Sequence, residues 1–413
     1  MTPKRVASNL AAAIVGAVVG AVVVLAAEGV TRDLTTDLTT GPRGTDRSSP
    51  TSSPVLEVDE ATVTNAVDPR RTILLAWAPG GLPHGTERAV EALGSVTSAT
   101  TVRAGLDWIR SSRAADGSVL DTPPSGMQIP FEVALIEPRE YAEYVPPSER
   151  EAVLSLGPGE ALLAQSESVL RGAGTGMTVR MRGGRVVVSD VVSDVATQGY
   201  EALLAGEVPD TWARSDSFLL MRVKSRAGRQ AISTRITERL APGQVLRMRA
   251  QGETPFLRYG DAVLPQLHIK SAFGEFAATP HPDGTITVQP SWRRKNITAM
   301  DVPILGTITC HRGLFPQLRH ALQEIQAEGL AFTIDAGDFG GCYSGRFIDS
   351  NPGGRLSHHS WGIAVDFNVG ENRPGTRPDQ DMRVVSIMED NGFTWGGRWL
   401  VPDGMHFEWV RFP

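Results

Sequence analysis

The sequence predicts an α+β protein in three parts: one N-terminal transmembrane helix, a separate mixed α/β extracytoplasmic domain, and a small C-terminal domain with an antiparallel sheet and flanking helices. Three observations predict it. An apolar run fills most of the first thirty residues, strand and helix signals alternate between Arg71 and about residue 250, and short alternating segments recur after residue 290. With 413 residues, 41% of them hydrophobic, the chain is long enough for two or three domains with proper cores. Its 40 basic and 46 acidic side chains give a formal charge of −6, which removes any global electrostatic case for a nucleic-acid partner.

In chain order, residues 1–5 form a short tail in which Lys4 and Arg5 precede an almost unbroken apolar run from Leu10 to Ala27. With Val6 to Asn9 the run is long enough, as a helix, to cross a hydrocarbon core of ~30 Å, so residues 6–27 are expected to anchor the chain in the cell membrane. The nearby positive charges lie before the run and Glu28 follows it, which leaves the N-terminus in the cytoplasm and the bulk of the chain outside. A cleaved signal peptide is the rival reading, disfavoured by the length of the run and by Leu25 at the first position of an A-x-A-like site. Residues 28–71 are rich in Thr, Ser, Pro and Asp, repeat Asp-Leu-Thr-Thr at Asp33 and Asp37, and hold too few large apolar side chains to pack. As a flexible coil this tether spans ~35–40 Å and lets the folded part reach material well above a membrane.

Residues 72–250 mix the two periodicities. Ile73 to Ala76 reads as a buried strand, and Ser148 with Glu151 makes a capping box after Pro146-Pro147. Met177, Val179 and Met181 alternate with polar residues, Gly183-Gly184 punctuates, and Val186 to Val188 returns, which is a hairpin signal. Gly172, Gly174 and Gly176 follow a helix-like segment, Ser166 to Arg171, at a spacing that is not a phosphate fingerprint, so they read as a turn. Nothing here assembles a nucleophile, a base and an orienting acid. The expected role is positioning or docking to another envelope protein.

Chemistry concentrates at the end of the chain, where five of the eight His, five of the eight Trp and both Cys follow residue 290. Gly362 to Phe367 alternates strictly, with Ile363, Val365 and Phe367 on one face and Gly362, Ala364 and Asp366 on the other. A carboxylate on such a strand needs a partner, since burying it unpaired is costly, and a cation is one such partner. His359 enters that strand from upstream. A second alternating segment puts Phe407 and Trp409 in the core and His406 and Glu408 on the opposite face. Two strands thus offer His, Asp and His, and catalytic zinc takes three N/O ligands and keeps a fourth position open. Asp403, three residues before His406, stands where a general base could move a proton.

The pattern Ser357-x-His359-x-x-Gly362-x-Ala364-x-Asp366, followed by Trp395-Gly396-Gly397-Arg398-Trp399 and Asp403-x-x-His406, resembles the zinc D-alanyl-D-alanine carboxypeptidase and L-alanyl-D-glutamate endopeptidase family of peptidoglycan peptidases. The resemblance covers roughly residues 255–413, within an expected domain at 251–413. It implies one zinc ion on His359, Asp366 and His406, Asp403 as catalytic acid and base, an arginine that stabilises the oxyanion, and a peptidoglycan stem peptide as substrate. Arg346 is the candidate for that arginine, with Arg355 nearby. Family members that cut D-Ala-D-Ala usually carry Glu as the base, so Asp403 leans toward the endopeptidase branch. The similar scaffold of the hedgehog signalling domain leaves a non-catalytic zinc module, binding wall peptide or a partner, as the alternative.

Cys310 and Cys342 both fall outside the membrane on the expected topology, and a disulfide between them is expected to stabilise the domain by ~3 kcal/mol. Leu318, Ala321, Leu322 and Ile325 fall at helical spacing between Pro316 and Gly329, and a second helix runs from Asp379 or Asp381 to Gly392. If its segment is extended, His358 points away from His359. Glu408 reads equally well as a ligand-orienting group or a solvated strand residue. The Trp residues at 395, 399 and 409 read as core.

Overall fold

The computed structural model describes residues 72–412 apart from 208, 210–215, 225–227 and 263, so the expected anchor at 6–27 and tether at 28–71 lie outside the described residues. Among the described residues, no helix is long and apolar enough to cross a membrane. The segment before residue 250 forms strands β1 (Thr72–Trp77), β2 (Val96–Arg113), β3 (Val119–Asp121), β4 (Ile129–Ile136), β5 (Glu160–Ala164), β6 (Thr178–Met181), β7 (Arg185–Val192), β8 (Ala202–Ala205), β9 (Asp216–Val223) and β10 (Arg247–Ala250). Six of them close on themselves in the order β2-β4-β8-β5-β7-β6 and back to β2, which makes a barrel, while β9, β1 and β10 extend the sheet outside it.

That closed barrel corrects the expectation of a mixed α/β domain. The parallel pairs β4–β8 and β5–β7 sit among antiparallel neighbours. The helices between strands have only four to nine residues, such as Arg150–Ser155 and Gln165–Arg171, too short to cover a parallel sheet. The helix at Arg150–Ser155 has no side-chain cap, and the capping box at Ser148 and Glu151 does not form. Glu149 instead accepts from the backbone N–H and hydroxyl of Ser193, at 2.5 and 2.8 Å. The hairpin at Gly183-Gly184 does form, pairing β6 with β7.

Closure depends on β2, whose 18 residues pair in succession with β9, β4 and β6. Register shifts at Val96/Ser98 and Ile109/Ser111 bend it from the extension into the barrel wall. From Ala104 to Ile109 it is buried on both faces. Ile109 joins Phe131, Val133, Leu163, Met181 and Val188 in one cluster, whereas Leu106 and Trp108 join the core of the C-terminal part.

That core also corrects the expected separateness of the two parts. Trp108 meets Phe347 edge-on with ring centroids 6.1 Å apart, and Gln128 bridges to Ala278 through paired backbone hydrogen bonds. Beside them lies a buried charge cluster. Lys270, on the helix Gln266–Phe273, is fully buried and reaches Glu201 at 2.5 Å, Glu275 at 2.9 Å and the Pro130 carbonyl at 2.5 Å. Arg171 pairs with Asp121, Glu167 and the same Glu275.

The remaining strands form three small sheets: β11 (Ala278–Pro280) with β12 (Ile286–Val288), β13 (Ile297–Val302) with β14 (Gly306–His311), and the order β15 (Ala364–Asp366), β17 (His406–Trp409), β16 (Phe393–Trp395). The two expected helices form at Phe315–Ala327 and Met382–Asp390. The Asp381 side chain caps the second by accepting from the Arg383 N–H, and both pack their apolar faces into the core behind β15–β17.

Replacing Lys270 by Ala takes the cation from the fully buried Glu201 and leaves Glu275 to Arg171 alone. The unfolding free energy from urea denaturation should fall by about 3–5 kcal/mol.

Candidate metal centre

Asp366 and His406 are directly opposite each other in the antiparallel pair β15–β17, and Glu408 is opposite Ala364 two pairs further on. Cross-strand pairing therefore brings a carboxylate and an imidazole together from residues 40 positions apart. His359 reaches the same point from a 3₁₀ turn, His358–Ser360, so the extended segment on which His358 would point away from it does not form. Ser357 starts that turn by accepting from the His359 N–H at 3.4 Å. Gly362, at φ 70°, then lets the chain pass β14, since a Cβ there would lie 2.7 Å from the His311 nitrogen.

One ligand atom from each of His359, Asp366 and His406 falls within 4.8 Å of the others, and all three residues are buried. His359 Nε2 is 3.2 Å from Asp366 Oδ2 and 3.2 Å from His406 Nδ1, and His406 Nδ1 is 2.9 Å from Asp366 Oδ1. The other ring nitrogens are engaged outward. His359 Nδ1 donates to the Cys342 carbonyl at 2.8 Å, and His406 Nε2 lies 3.3 Å from Glu408 Oε1. The inward set is thus two nitrogens and a carboxylate, a donor set that suits zinc and leaves a fourth position, as catalytic sites do. Cys310 and Cys342 are disulfide-bonded, with Cα atoms 5.3 Å apart, and the bridge tethers the backbone carbonyl that orients His359.

Electrostatics follow from burial. Desolvation opposes the charge on Asp366, but His359 and His406 beside it hold its carboxyl far below the usual range. Burial likewise works against a charged His406, yet hydrogen bonds to Asp366 and Glu408 raise its pKa to about 10. Burial keeps the His359 pKa below its ordinary value in spite of Asp366.

Asp403 sits in the turn leading into β17, its backbone N–H on the Gly396 carbonyl at 3.0 Å and its own carbonyl taking the His406 N–H at 3.2 Å. A Cβ at Gly396 would lie 2.7 Å from the Asp403 carbonyl oxygen, so glycine is what allows this close approach. Burial pushes the Asp403 pKa up to about 6; His406 and Arg346 oppose the rise, and Asp366 and Asp349 add to it. Among the described residues, its Oδ1 is buried without a hydrogen-bond partner.

Of the two arginines, Arg346 acts electrostatically on both His359 and Asp403. Arg355 turns the other way, 3.3 Å from Asp216 of β9 and over the ring of Tyr259. His358 is buried, its Nδ1 3.2 Å from Glu408 Oε2. Trp399 was read as core, yet its ring lies 5.2 Å from that of His406, centroid to centroid. The influence of Asp349 on Asp403 had no signal in the sequence, because it comes from a loop where Asp349 and Ser350 both have positive φ.

Residues 350–409 match the family model described as D-alanyl-D-alanine carboxypeptidase. The match contains His359, Asp366, Asp403 and His406 and begins just after Arg346. At the family level the match supports a peptidoglycan-related peptidase domain at this end of the chain. The comparison with curated proteins gives no match. Among solved structures, the periplasmic region of MacB from Actinobacillus actinomycetemcomitans aligns over 46% of this chain and 92% of that one at 8% identity, with a TM-score of 0.29, too low to carry an argument.

Two outcomes follow from these pKa directions. A metal ligand must be deprotonated, so zinc uptake at pH 7 should release about one proton, from His406, when calorimetry is compared across buffers of different ionisation enthalpy. For Asp403 the folded pKa lies above the unfolded one, so the folded state binds more protons between about pH 4 and 6 and its stability falls as pH rises through that window. Asp403→Asn should therefore raise the urea midpoint of the metal-free protein at pH 7 and leave it nearly unchanged at pH 4.

Proposed function

We propose that this protein is a zinc peptidase that hydrolyses an amide bond in the stem peptide of peptidoglycan, as a D-alanyl-D-alanine carboxypeptidase or an L-alanyl-D-glutamate endopeptidase. The observation that carries the reading is the convergence of His359 Nε2, Asp366 and His406 Nδ1 in a buried site beside Asp403. Bound to those three residues, zinc supplies Lewis acidity to the scissile carbonyl.

The chain's own groups supply the rest. Asp403, with a pKa near neutrality and an unpartnered Oδ1, takes the proton from the attacking water and returns it to the leaving amine. Arg346 places positive charge beside His359 and Asp403, where negative charge develops on the carbonyl oxygen. Trp399 covers one side of His406 and keeps that side apolar. Aspartate rather than glutamate at position 403 supports the endopeptidase branch by the family resemblance. The Cys310–Cys342 disulfide supports an oxidising, extracytoplasmic compartment, where the wall is built and cut.

Full-length protein incubated with defined muropeptides, with zinc and after chelation, should give a zinc-dependent product by mass spectrometry, and the mass of that product identifies the bond. Asp403→Asn should lower kcat by roughly 100-fold or more with little change in zinc content. Intact peptides in the presence of a zinc-loaded chain would instead favour a binding module.

A further inference from the structure

His406 faces the centre through Nδ1, which requires its other nitrogen to carry the proton and something to hold that proton outward. Glu408 does this from two positions along the same strand, with Oε1 3.3 Å from His406 Nε2. Its second oxygen lies 3.2 Å from His358 Nδ1. Glu408 and His358 are 3% and 8% exposed, so neither draws on bulk water for compensation. Beyond each other, His358 Nδ1 and Glu408 Oε2 are buried without a hydrogen-bond partner among the described residues. Desolvation opposes the charge on Glu408, but His358 and His406 on its two sides keep the carboxylate ionised.

The outer end of this chain of contacts touches the barrel. His358 lines an internal cleft with Arg355, Arg258 and Glu132. Arg258 is held by Glu132 of β4 at 2.5 Å, and Arg355 by Asp216 of β9. A buried path therefore runs from strands of the barrel sheet through His358 and Glu408 to a ligand of the metal centre.

We propose that Glu408 and His358 are positioning residues that hold His406 with Nδ1 toward the metal, His358 serving as the brace that fixes the Glu408 carboxylate. The inference rests on the metal reading of the site and concerns ligand orientation, so it is tested by metal binding and not by peptide cleavage. The metal-free full-length chain is titrated with zinc against a chromophoric chelator, and the visible absorption of its cobalt(II) form is recorded, for Glu408→Ala, Glu408→Gln and His358→Leu. Glu408→Ala should weaken zinc binding by roughly 10–100-fold and alter the cobalt spectrum, as losing the partner of a ligating imidazole does. His358→Leu should move both readouts the same way by a smaller factor. Glu408→Gln should restore most of the affinity, because its amide oxygen can still accept the Nε2 proton. Zinc affinity within about twofold of wild type in Glu408→Ala, with an unchanged spectrum, overturns the proposal. If Glu408→Ala does not fold, wild-type values for His358→Leu overturn it instead. A wild-type chain that binds zinc and leaves every peptide intact sinks the peptidase reading while these variants still decide the orientation.

Discussion

The constraint on which the C-terminal structure turns is the burial of Asp366. A carboxylate that is 4% exposed in a protein interior cannot stay charged without compensation, and here two imidazoles provide it, one on each oxygen. Each imidazole must itself be oriented, so the requirement propagates outward. His359 needs the Cys342 carbonyl, which the disulfide tethers to β14. His406 needs Glu408, and Glu408 in turn faces His358. The short strands β15, β16 and β17, only three or four residues each, would be a marginal sheet in isolation. They persist because Phe367, Phe407, Trp395 and Trp409 bury their other face against the two helices.

The barrel answers a second constraint. A six-stranded wall leaves room only for side chains, and Ile109, Phe131, Val133, Leu163 and Met181 fill it. With its interior occupied, the barrel has its outer surface left to offer, and that is where the C-terminal part packs. Trp108 meets Phe347 on this surface, and the cluster of Lys270, Arg171 and four carboxylates secures the same junction. A buried ionic cluster of this kind is a poor source of net stability but a demanding one in geometry, since a shifted partner leaves a charge unpaired. It fixes how the two parts meet more than how strongly they hold.

The site was legible in the sequence because its residues lie on period-two segments. Strict alternation around Asp366 and His406 fixed which side chains share a face, and the strand register then set Asp366 opposite His406. His359 was legible only through spacing, for its turn leaves no periodic trace. The barrel was not legible. β2 and β4 are buried on both sides, Ile109 and Phe131 facing the interior while Trp108 and Glu132 face other parts of the chain, so neither shows the alternation of a half-exposed strand. The helix signals near Ser148 and Ser166 were real, but these helices have six and seven residues and decorate the barrel without crossing between parallel strands. Closure through β2 and β6 joins residues some seventy positions apart, and local pattern carries no information about that pairing.

Arg346 and Arg355 show how the barrel bears on the chemistry. They are equivalent as side chains and nearly adjacent in sequence, and what separates them is the partner each finds. Asp216 of β9 draws Arg355 toward the sheet extension, where it also lies over Tyr259. Arg346 is the guanidinium whose charge bears on Asp403, lowering its pKa against the rise that burial causes. On the opposite side, Arg247 and Arg249 hold Asp261, whose other oxygen accepts from the Leu400 N–H, while Arg247 also donates to the Arg398 carbonyl. The loop that carries Trp399 onto His406 is therefore held from β10. The sheet extension beside the barrel contributes none of the set His359, Asp366 and His406, yet it pairs with Arg355 and holds the loop that lays Trp399 on His406.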